Sequence, residues 1–133
     1  MSSTRFGVYI PADVLNELDF VIQKLGVKSR SRIVQEALRL FINEYKWRFS
    51  QKVHGIIGVV YDHNVSGVDD ELTDIQHEYL ENIISTIHIH LTRDKCMLII
   101  VMKSEGDRLY ELVSRLINTR GVLLVRPMVL EVE

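Results

Sequence analysis

The chain has 133 residues, of which 47% are hydrophobic and 26% charged, and its formal net charge is -2. This composition is typical of a folded globular protein, and no apolar run is long enough to span a membrane. The first residues lack the apolar stretch of a signal peptide, and the single cysteine, Cys96, excludes an intramolecular disulfide. We therefore expect a cytoplasmic protein with a free thiol.

The charge is unevenly distributed along the chain. Residues 1–50 contain eight Lys and Arg against five Asp and Glu, whereas residues 51–133 contain eight against thirteen. A basic N-terminal part is typical of a DNA-binding module, and an acidic C-terminal part is typical of a separate sensing or assembly module. A charge imbalance of this size also arises in proteins that bind no nucleic acid. The predicted helices and strands therefore have to decide whether the N-terminal part binds DNA.

The first fifty residues predict one short strand and two helices. Apolar residues alternate over 5–10, which is typical of a half-buried strand. The spacing of apolar residues over 12–25 predicts a helix, and Gly26 follows where a helix C-terminal glycine belongs. Ser29 is a suitable N-cap for a second helix over residues 30–49.

The lone strand has no pairing partner within these fifty residues, so we expect two copies of it to pair in a twofold dimer. With the turn motif G-x-x-x-R-S (Gly26 to Ser31), the pattern resembles the ribbon-helix-helix DNA-binding fold over about residues 4–45. The resemblance implies that the two-stranded ribbon enters the major groove. The candidate DNA-binding residues are Arg5, Gly7 and Tyr9 on the outer face of the ribbon, and Lys28, Ser29 and Arg30 at the start of the second helix, where a phosphate would bind. Tyr9 is also a good strand former on an exposed face, so its role stays open.

The second part has the order strand, helix, strand, strand, helix, strand. This is the split βαβ plan of a ferredoxin-like α+β domain, and by fold it is similar to ACT-type regulatory modules. The predicted strands cover residues 53–63, 87–92, 96–103 and 122–133, and the predicted helices cover residues 71–86 and 104–121. We expect residues 1–50 to form the DNA-binding domain and residues 51–133 to form the ACT-like domain.

The stretch STIHIHLTRDKC, residues 85–96, is a candidate metal site. On a strand, His88 and His90 share one face. The other face, which we expect to point into the core, carries Ile87, Ile89 and Leu91. A three-residue hairpin loop would set Cys96 opposite Thr92 on the histidine face, so a site that uses all three side chains predicts an odd number of loop residues. Two imidazoles and a thiolate suit late divalent metals, and a solvated strand face is the competing interpretation.

The whole arrangement resembles the nickel-responsive transcriptional regulator (NikR) family over the full chain. The motifs behind the ribbon-helix-helix head are Y-x-H (Tyr61, His63), Q-H-E-Y (Gln76 to Tyr79) and H-x-H-x5-C (His88, His90, Cys96). The resemblance implies a planar Ni(2+) site, one per subunit, formed by His88, His90 and Cys96 of one subunit and His77 of another. His77 lies beside the apolar stripe of its helix, which agrees with a side chain that faces a neighbouring subunit. The resemblance also implies a secondary metal role for His63, whose other interpretation is an ordinary loop histidine.

The resemblance further implies a homotetrameric regulator, expected to repress nickel uptake, that binds a palindromic DNA operator when nickel is bound. Two positions depart from the family pattern. Arg32 stands where a Glu would close a capping box and help form an auxiliary cation site, and Gln35 stands where a basic residue is usual. Competing interpretations are a copper or zinc regulator and a metal storage or structural protein. We do not expect an enzyme, because no further catalytic group accompanies a Cys96–His90 pair.

Overall fold

A computed structural model describes residues 2–133. The chain divides into two compact units, of which the first ends at Phe41 and the second comprises Ile42–Glu133. The division lies earlier than the boundary after residue 50 that the sequence predicts. The physical reason is Trp47, which is 6% exposed and packs into the hydrophobic core of the second unit.

The first unit contains two helices, α1 (Ala12–Leu25) and the beginning of α2 (Arg30–Lys46). The bounds of α1 confirm the predicted range, and Gly26 ends the helix in the left-handed conformation, with φ of 70°. The Ser29 hydroxyl accepts a hydrogen bond from the backbone N–H of Arg32 at 3.2 Å, which confirms the predicted N-cap. α2 ends at Lys46 and a 3-10 turn, Trp47–Phe49, completes the range predicted for one helix.

Residues 2–11 form no helix or strand in the single chain. Phe6 and Val8, two of the alternating apolar residues of the predicted strand, are 70% and 66% exposed. An isolated strand leaves every backbone N–H and C=O without a ladder partner, so it needs a second chain to form. The predicted strand over residues 5–10, and the ribbon that two copies of it would make, therefore stay predictions.

The second unit is a four-stranded antiparallel sheet with two helices. Its elements are β1 (Val53–Asp62), α3 (Val68–Glu78), β2 (Ile83–His90), β3 (Lys95–Ser104), α4 (Gly106–Ile117) and β4 (Val122–Val132). The strand order is β2-β3-β1-β4, so the apolar run of β3 is central, as predicted. This order and the βαββαβ sequence of elements confirm the ferredoxin-like α+β plan.

The core lies between one face of the sheet and the two helices. α3 contributes Val68, Leu72 and Ile75, and α4 contributes Leu109, Leu112, Val113 and Leu116. At the start of α4, a Cβ on Gly106 would lie 2.6 Å from the carbonyl oxygen of Arg48 and closer still to that of Trp47. Only a glycine therefore allows the 3-10 turn to pack against this helix end.

The pairing of β2 with β3 corrects the predicted orientation of β2. His88 pairs with Leu98 and His90 with Cys96, and both partners belong to the face that the helices cover. Ile87 and Ile89 lie on the opposite, open face of the sheet and are 49% and 37% exposed, and Leu91, in the loop after β2, is 46% exposed, so none of the three is buried in the core. Alternation along a strand separates two faces, but it does not tell which face the helices cover.

Two predicted helix ranges also differ from the structure. α3 begins earlier than predicted and ends at Glu78, after which the chain turns into β2. α4 ends at Ile117, and Gly121, with φ of 96°, belongs to the turn before β4. Within residues 2–133, no helix combines the length and the apolar character that crossing a membrane requires.

Candidate metal centre

Two neighbouring strands carry His88, His90 and Cys96, in one row with Tyr61 of a third strand. Cys96 on the central strand β3 pairs with His90 on β2 and with Tyr61 on β1. His88 follows two residues before His90 and therefore lies on the same face. Cys96 is 1% exposed, whereas both histidines are exposed because β2 is the edge strand. The thiol thus sits at the end of the core, and the imidazoles extend from it toward solvent.

The distances between these side chains fit a single metal ion. The potential ligand atoms of His88, His90 and Cys96 all lie within 4.8 Å of one another. The Cys96 Sγ is 3.4 Å from His90 Nδ1, and the two imidazole ring centres are 5.0 Å apart. Zinc proteins show bonds of about 2.0–2.3 Å to His nitrogen and Cys sulfur, so ligand atoms on opposite sides of one ion lie roughly 4–4.6 Å apart. The set therefore needs only small rotations to bind one ion.

The hairpin loop explains why the thiol reaches the histidine face. Five residues separate His90 from Cys96, and the backbone N–H groups of Leu91 and Thr92 both donate to the carbonyl oxygen of Lys95. The odd number agrees with the expectation from the sequence. The predicted pairing of Cys96 with Thr92 is wrong, because the structure pairs Cys96 with His90.

Tyr61 and Asp69 join the candidate site; in the sequence, Tyr61 stands out only as part of the Y-x-H motif, and Asp69 does not stand out. The Tyr61 hydroxyl lies 2.9 Å from His88 Nε2 and 3.0 Å from Asp69 Oδ1. Burial raises the pKa of Tyr61 well above its ordinary value, and the hydrogen bond to Asp69 raises it further. The phenol therefore stays protonated at neutral pH. Alternation along β1 would have placed Tyr61 on the core face, but only the packing of α3 on the sheet brings Asp69 to it.

The other predicted metal ligands stand apart from this group. His77 is exposed near the C-terminal end of α3 and does not belong to the cluster of three within the chain. His63 is exposed in the turn after β1, where its backbone N–H donates to the carbonyl oxygen of Asp94. In the single chain, neither histidine completes the site.

The end of α3 that carries His77 is fixed to α4. Arg108 donates to the carbonyl oxygen of Glu78 at 2.9 Å and lies over the Tyr79 ring, with its guanidinium carbon 4.1 Å from the ring centre. Arg115 forms an ion pair with Glu78 and thereby lowers the pKa of that carboxyl. These contacts set the position from which His77 projects.

The candidate DNA-binding residues belong to the first unit. Arg5, Gly7 and Tyr9 are exposed, and a Cβ on Gly7 would meet no atom within 4 Å. The structure thus leaves this face free, without placing it against DNA.

The start of α2 carries the candidates for phosphate binding. Lys28 is exposed, and Ser29 caps the helix. Arg30 donates two hydrogen bonds to Asp19 on α1, at 3.0 and 2.7 Å, although its side chain stays 62% exposed. Arg32, which departs from the family pattern, lies 3.6 Å from Glu36 in an exposed ion pair, where a Glu would present a second carboxylate instead.

Comparison with known proteins identifies the family. Residues 54–130 match the family model described as "NikR C terminal nickel binding domain". The chain belongs to the NikR family. A relative from Pyrococcus abyssi named "Putative nickel-responsive regulator" is 38% identical over 123 residues, which cover 92% of this chain and 89% of the relative. A relative from Methanosarcina mazei named "Putative nickel-responsive regulator 2" is 38% identical over 120 residues, which cover 89% of this chain and 86% of the relative.

Solved structures support the ACT-like fold of this NikR chain. An uncharacterized protein of Thermotoga maritima superposes with a TM-score of 0.56 at 18% identity, covering 61% of this chain and all of the other. The ACT domain of a GTP pyrophosphokinase from Chlorobium tepidum superposes with a TM-score of 0.52 at 17% identity, covering 58% of this chain and 99% of that domain. At these identities the likeness concerns the fold alone.

Proposed function

We propose that this NikR chain is a nickel-dependent DNA-binding repressor. The observation that carries the proposal is the convergence of His88, His90 and Cys96 on one face of the sheet, with ligand atoms within 4.8 Å of one another. The proposed fourth ligand is His77 of another subunit, and His63 is proposed for a secondary metal. One Ni(2+) per subunit would bind, in the cytoplasm, where the DNA operator is.

The donor set suits a late divalent metal, and the planar site that the family resemblance implies favours nickel. Imidazole nitrogens and a thiolate bind late divalent metals tightly, and a planar arrangement separates Ni(II) or Cu(II) from zinc, which prefers a tetrahedral one. The side chains extend from adjacent β-strands, whose spacing fixes their separation before the metal arrives. Bound nickel would supply a fixed positive centre that draws His77 of a neighbouring subunit into the site.

The first unit supports a dimeric DNA-binding head. Among the residues that the structure describes, neither α1 nor α2 contains a fully buried side chain, although both have an apolar stripe. Val14, Val21 and Leu25 on α1 are 50%, 48% and 66% exposed. A stripe of this size is stable when a second copy covers it, which is the arrangement of a ribbon-helix-helix dimer. Two copies of Arg5, Gly7 and Tyr9 would then face the major groove of a palindromic operator, while Lys28, Ser29 and Arg30 would lie near phosphates.

A site shared between subunits would couple nickel to DNA binding. If His77 comes from a different dimer, the four ligands meet only in one arrangement of a homotetramer. Nickel then favours that arrangement by its differential affinity, which is the condition for allosteric coupling. The arrangement that holds nickel would also set the spacing of the two DNA-binding heads.

Selection of DNA by the full-length protein tests the proposal. Nickel-loaded protein is used to enrich a duplex from random sequence, and its affinity for that duplex is measured with nickel, zinc, copper or no metal. We expect tight binding with nickel only, together with thiolate-to-nickel charge-transfer bands and planar d-d bands. Cys96→Ala should remove both the bands and the metal dependence.

The other outcomes distinguish the competing functions. Tight, selective DNA binding with copper or zinc instead of nickel would identify a regulator of another metal. Metal binding with no enrichment of any duplex would identify a storage or structural protein and would contradict the proposal.

A further inference from the structure

A line of three side chains leads from the metal cluster to α3. The Tyr61 hydroxyl lies 2.9 Å from His88 Nε2 on one side and 3.0 Å from Asp69 Oδ1 on the other. The Tyr61 side chain is 3% exposed, so its position is fixed by the core, whereas Asp69 is exposed in the first turn of α3. Both contacts are within hydrogen-bond distance, and the hydroxyl is their common atom.

A count of hydrogens decides the direction of both bonds. A tyrosine hydroxyl has one hydrogen to donate, and a carboxylate can only accept. The hydrogen of Tyr61 must therefore point to Asp69. The hydroxyl oxygen is then left to accept from His88, which requires a hydrogen on Nε2. In neutral imidazole this leaves the lone pair on Nδ1.

We propose that Asp69 is a positioning residue which acts through Tyr61 to hold neutral His88 with its hydrogen on Nε2, so that Nδ1 is the nitrogen free for a metal. Asp69 does not itself belong to the ligand cluster. Its role corresponds to the carboxylates that orient metal-binding histidines in other proteins, with one hydroxyl inserted between carboxylate and imidazole. The position of the hydrogen on His88 is a property of the metal-free protein. Only the statement that Nδ1 binds a metal rests on the proposed function.

Asp69 is the acceptor that the structure gives to the Tyr61 hydroxyl. A cavity of about 210 Å³ borders the three side chains and is also lined by Leu72, Thr73, Gln76, Thr86 and Leu98. Without the carboxylate, the Tyr61 hydrogen is free to turn toward His88 Nε2. The imidazole would then carry its hydrogen on Nδ1, and the free lone pair would be engaged by Tyr61 rather than available to a metal.

Nitrogen NMR of the imidazoles tests the tautomer directly. The full-length, metal-free protein with labelled histidines is measured at about pH 8, where imidazoles are ordinarily neutral. We expect the Nε2–H form of His88 in the wild type and a shift toward the Nδ1–H form in Asp69→Ala. Asp69→Asn keeps an acceptor oxygen and should restore the Nε2–H form. Asp70→Ala removes the same charge from the same exposed helix turn and should leave the His88 signals unchanged.

A nickel titration of the same four proteins gives a second, separate readout. Asp69→Ala should bind nickel about tenfold more weakly than Asp70→Ala, as expected for loss of a group that orients a ligand. A wild-type Nδ1–H form, or an unchanged tautomer in Asp69→Ala, overturns the inference. If the tautomers behave as expected but the wild type does not bind nickel, the proposed function fails while the role of Asp69 stands.

Discussion

The guanidinium of Arg30 is committed to Asp19, and this changes what the residue offers to DNA. Its Nε and Nη2 groups both donate to the carboxylate, and this hydrogen-bonded pair raises the pKa of Arg30. The pair links α2 to α1 in the geometry that arginine forms best. Ser29 is likewise engaged as a cap. Of the three described residues proposed to bind phosphate, Lys28 has the side chain with the greatest freedom to reach one.

Substitution of Arg5 separates base reading from phosphate binding. Arg5→Ala should reduce the discrimination between the selected duplex and random DNA by about 1–3 kcal/mol, because an arginine on the ribbon can bond guanine through two hydrogen bonds. The measurement is a pair of binding isotherms on the two duplexes, with nickel present and at constant salt.

The matched variant for this experiment is Lys28→Ala. It should weaken binding to both duplexes equally and reduce the dependence of affinity on salt by about one counterion, because a phosphate contact carries no sequence information. An equal loss on both duplexes for Arg5→Ala would assign Arg5 to the DNA backbone and contradict its proposed role in base reading.

Local chemistry predicted single residues well wherever the cause lies within a few positions along the chain. Gly26 ends α1 and Ser29 caps α2 because both act on their own helix end. Asp69 could not be found this way, since its partner Tyr61 lies on another element. Arg30 shows the same limit, because the carboxylate that engages it is on α1.

At the scale of elements, the sequence predicted the order of strands and helices but not which face of β2 the helices cover. The register with β3 puts His88 and His90 on the helix-covered face, and they stay exposed there because β2 is the edge strand. An edge position allows polar side chains on the side that is buried at the centre of the sheet. The apolar residues of β2 lie on the open face of the sheet, which is partly exposed in the single chain. A second surface is needed to cover them.

Arg108 should control the mobility of the helix end that carries His77. Arg108→Ala removes the hydrogen bonds to the Glu78 carbonyl and to Asn82, together with the contact on the Tyr79 ring. We expect the free energy of unfolding to fall by about 1–2 kcal/mol, in line with a charged hydrogen bond and a cation–π contact. Amide hydrogen exchange over residues 77–83 should increase, because this segment would open locally.

The control for Arg108 is Arg39→Ala, which removes an exposed arginine from α2. It should leave exchange over residues 77–83 unchanged. If Arg108→Ala lowers stability without a local increase of exchange in that segment, Arg108 acts on the whole unit, and its role in positioning His77 has to be given up.

At the scale of the whole molecule, both units leave apolar surface uncovered. The described helices of the first unit bury no residue completely, and the open face of the sheet exposes Ile87, Leu124 and Met128. Surfaces of this kind are typical of obligate oligomers. Two separate surfaces on one chain fit two kinds of contact, which is what a tetramer built from two dimers requires. The sequence could predict the need for partners, because a lone strand cannot pair with itself, but it could not locate the open face.

The proposed exchange of His77 between subunits predicts that two defective chains complement each other. A His77→Ala chain keeps three ligands and lacks the donated fourth, whereas a Cys96→Ala chain lacks the thiolate and still donates His77. Each variant alone should bind nickel weakly, because an incomplete set loses both a bond and the planar geometry. After equal amounts are unfolded together and reassembled, about a quarter of the sites in a symmetric oligomer should combine the intact parts and bind nickel tightly.

The control replaces the Cys96→Ala chain with one that carries both substitutions. That mixture contains no His77 at all, so it should recover no tight site although the chains exchange equally well. Mass spectrometry of intact, differently tagged assemblies confirms exchange in both mixtures, and the thiolate-to-nickel absorption bands report the complete sites. Recovery in the first mixture alone requires that His77 and Cys96 of one site come from different chains. If confirmed exchange recovers no tight binding, His77 acts within its own chain or does not bind nickel. Metal could then no longer select one arrangement of the tetramer through this ligand, and the coupling to DNA would need another origin.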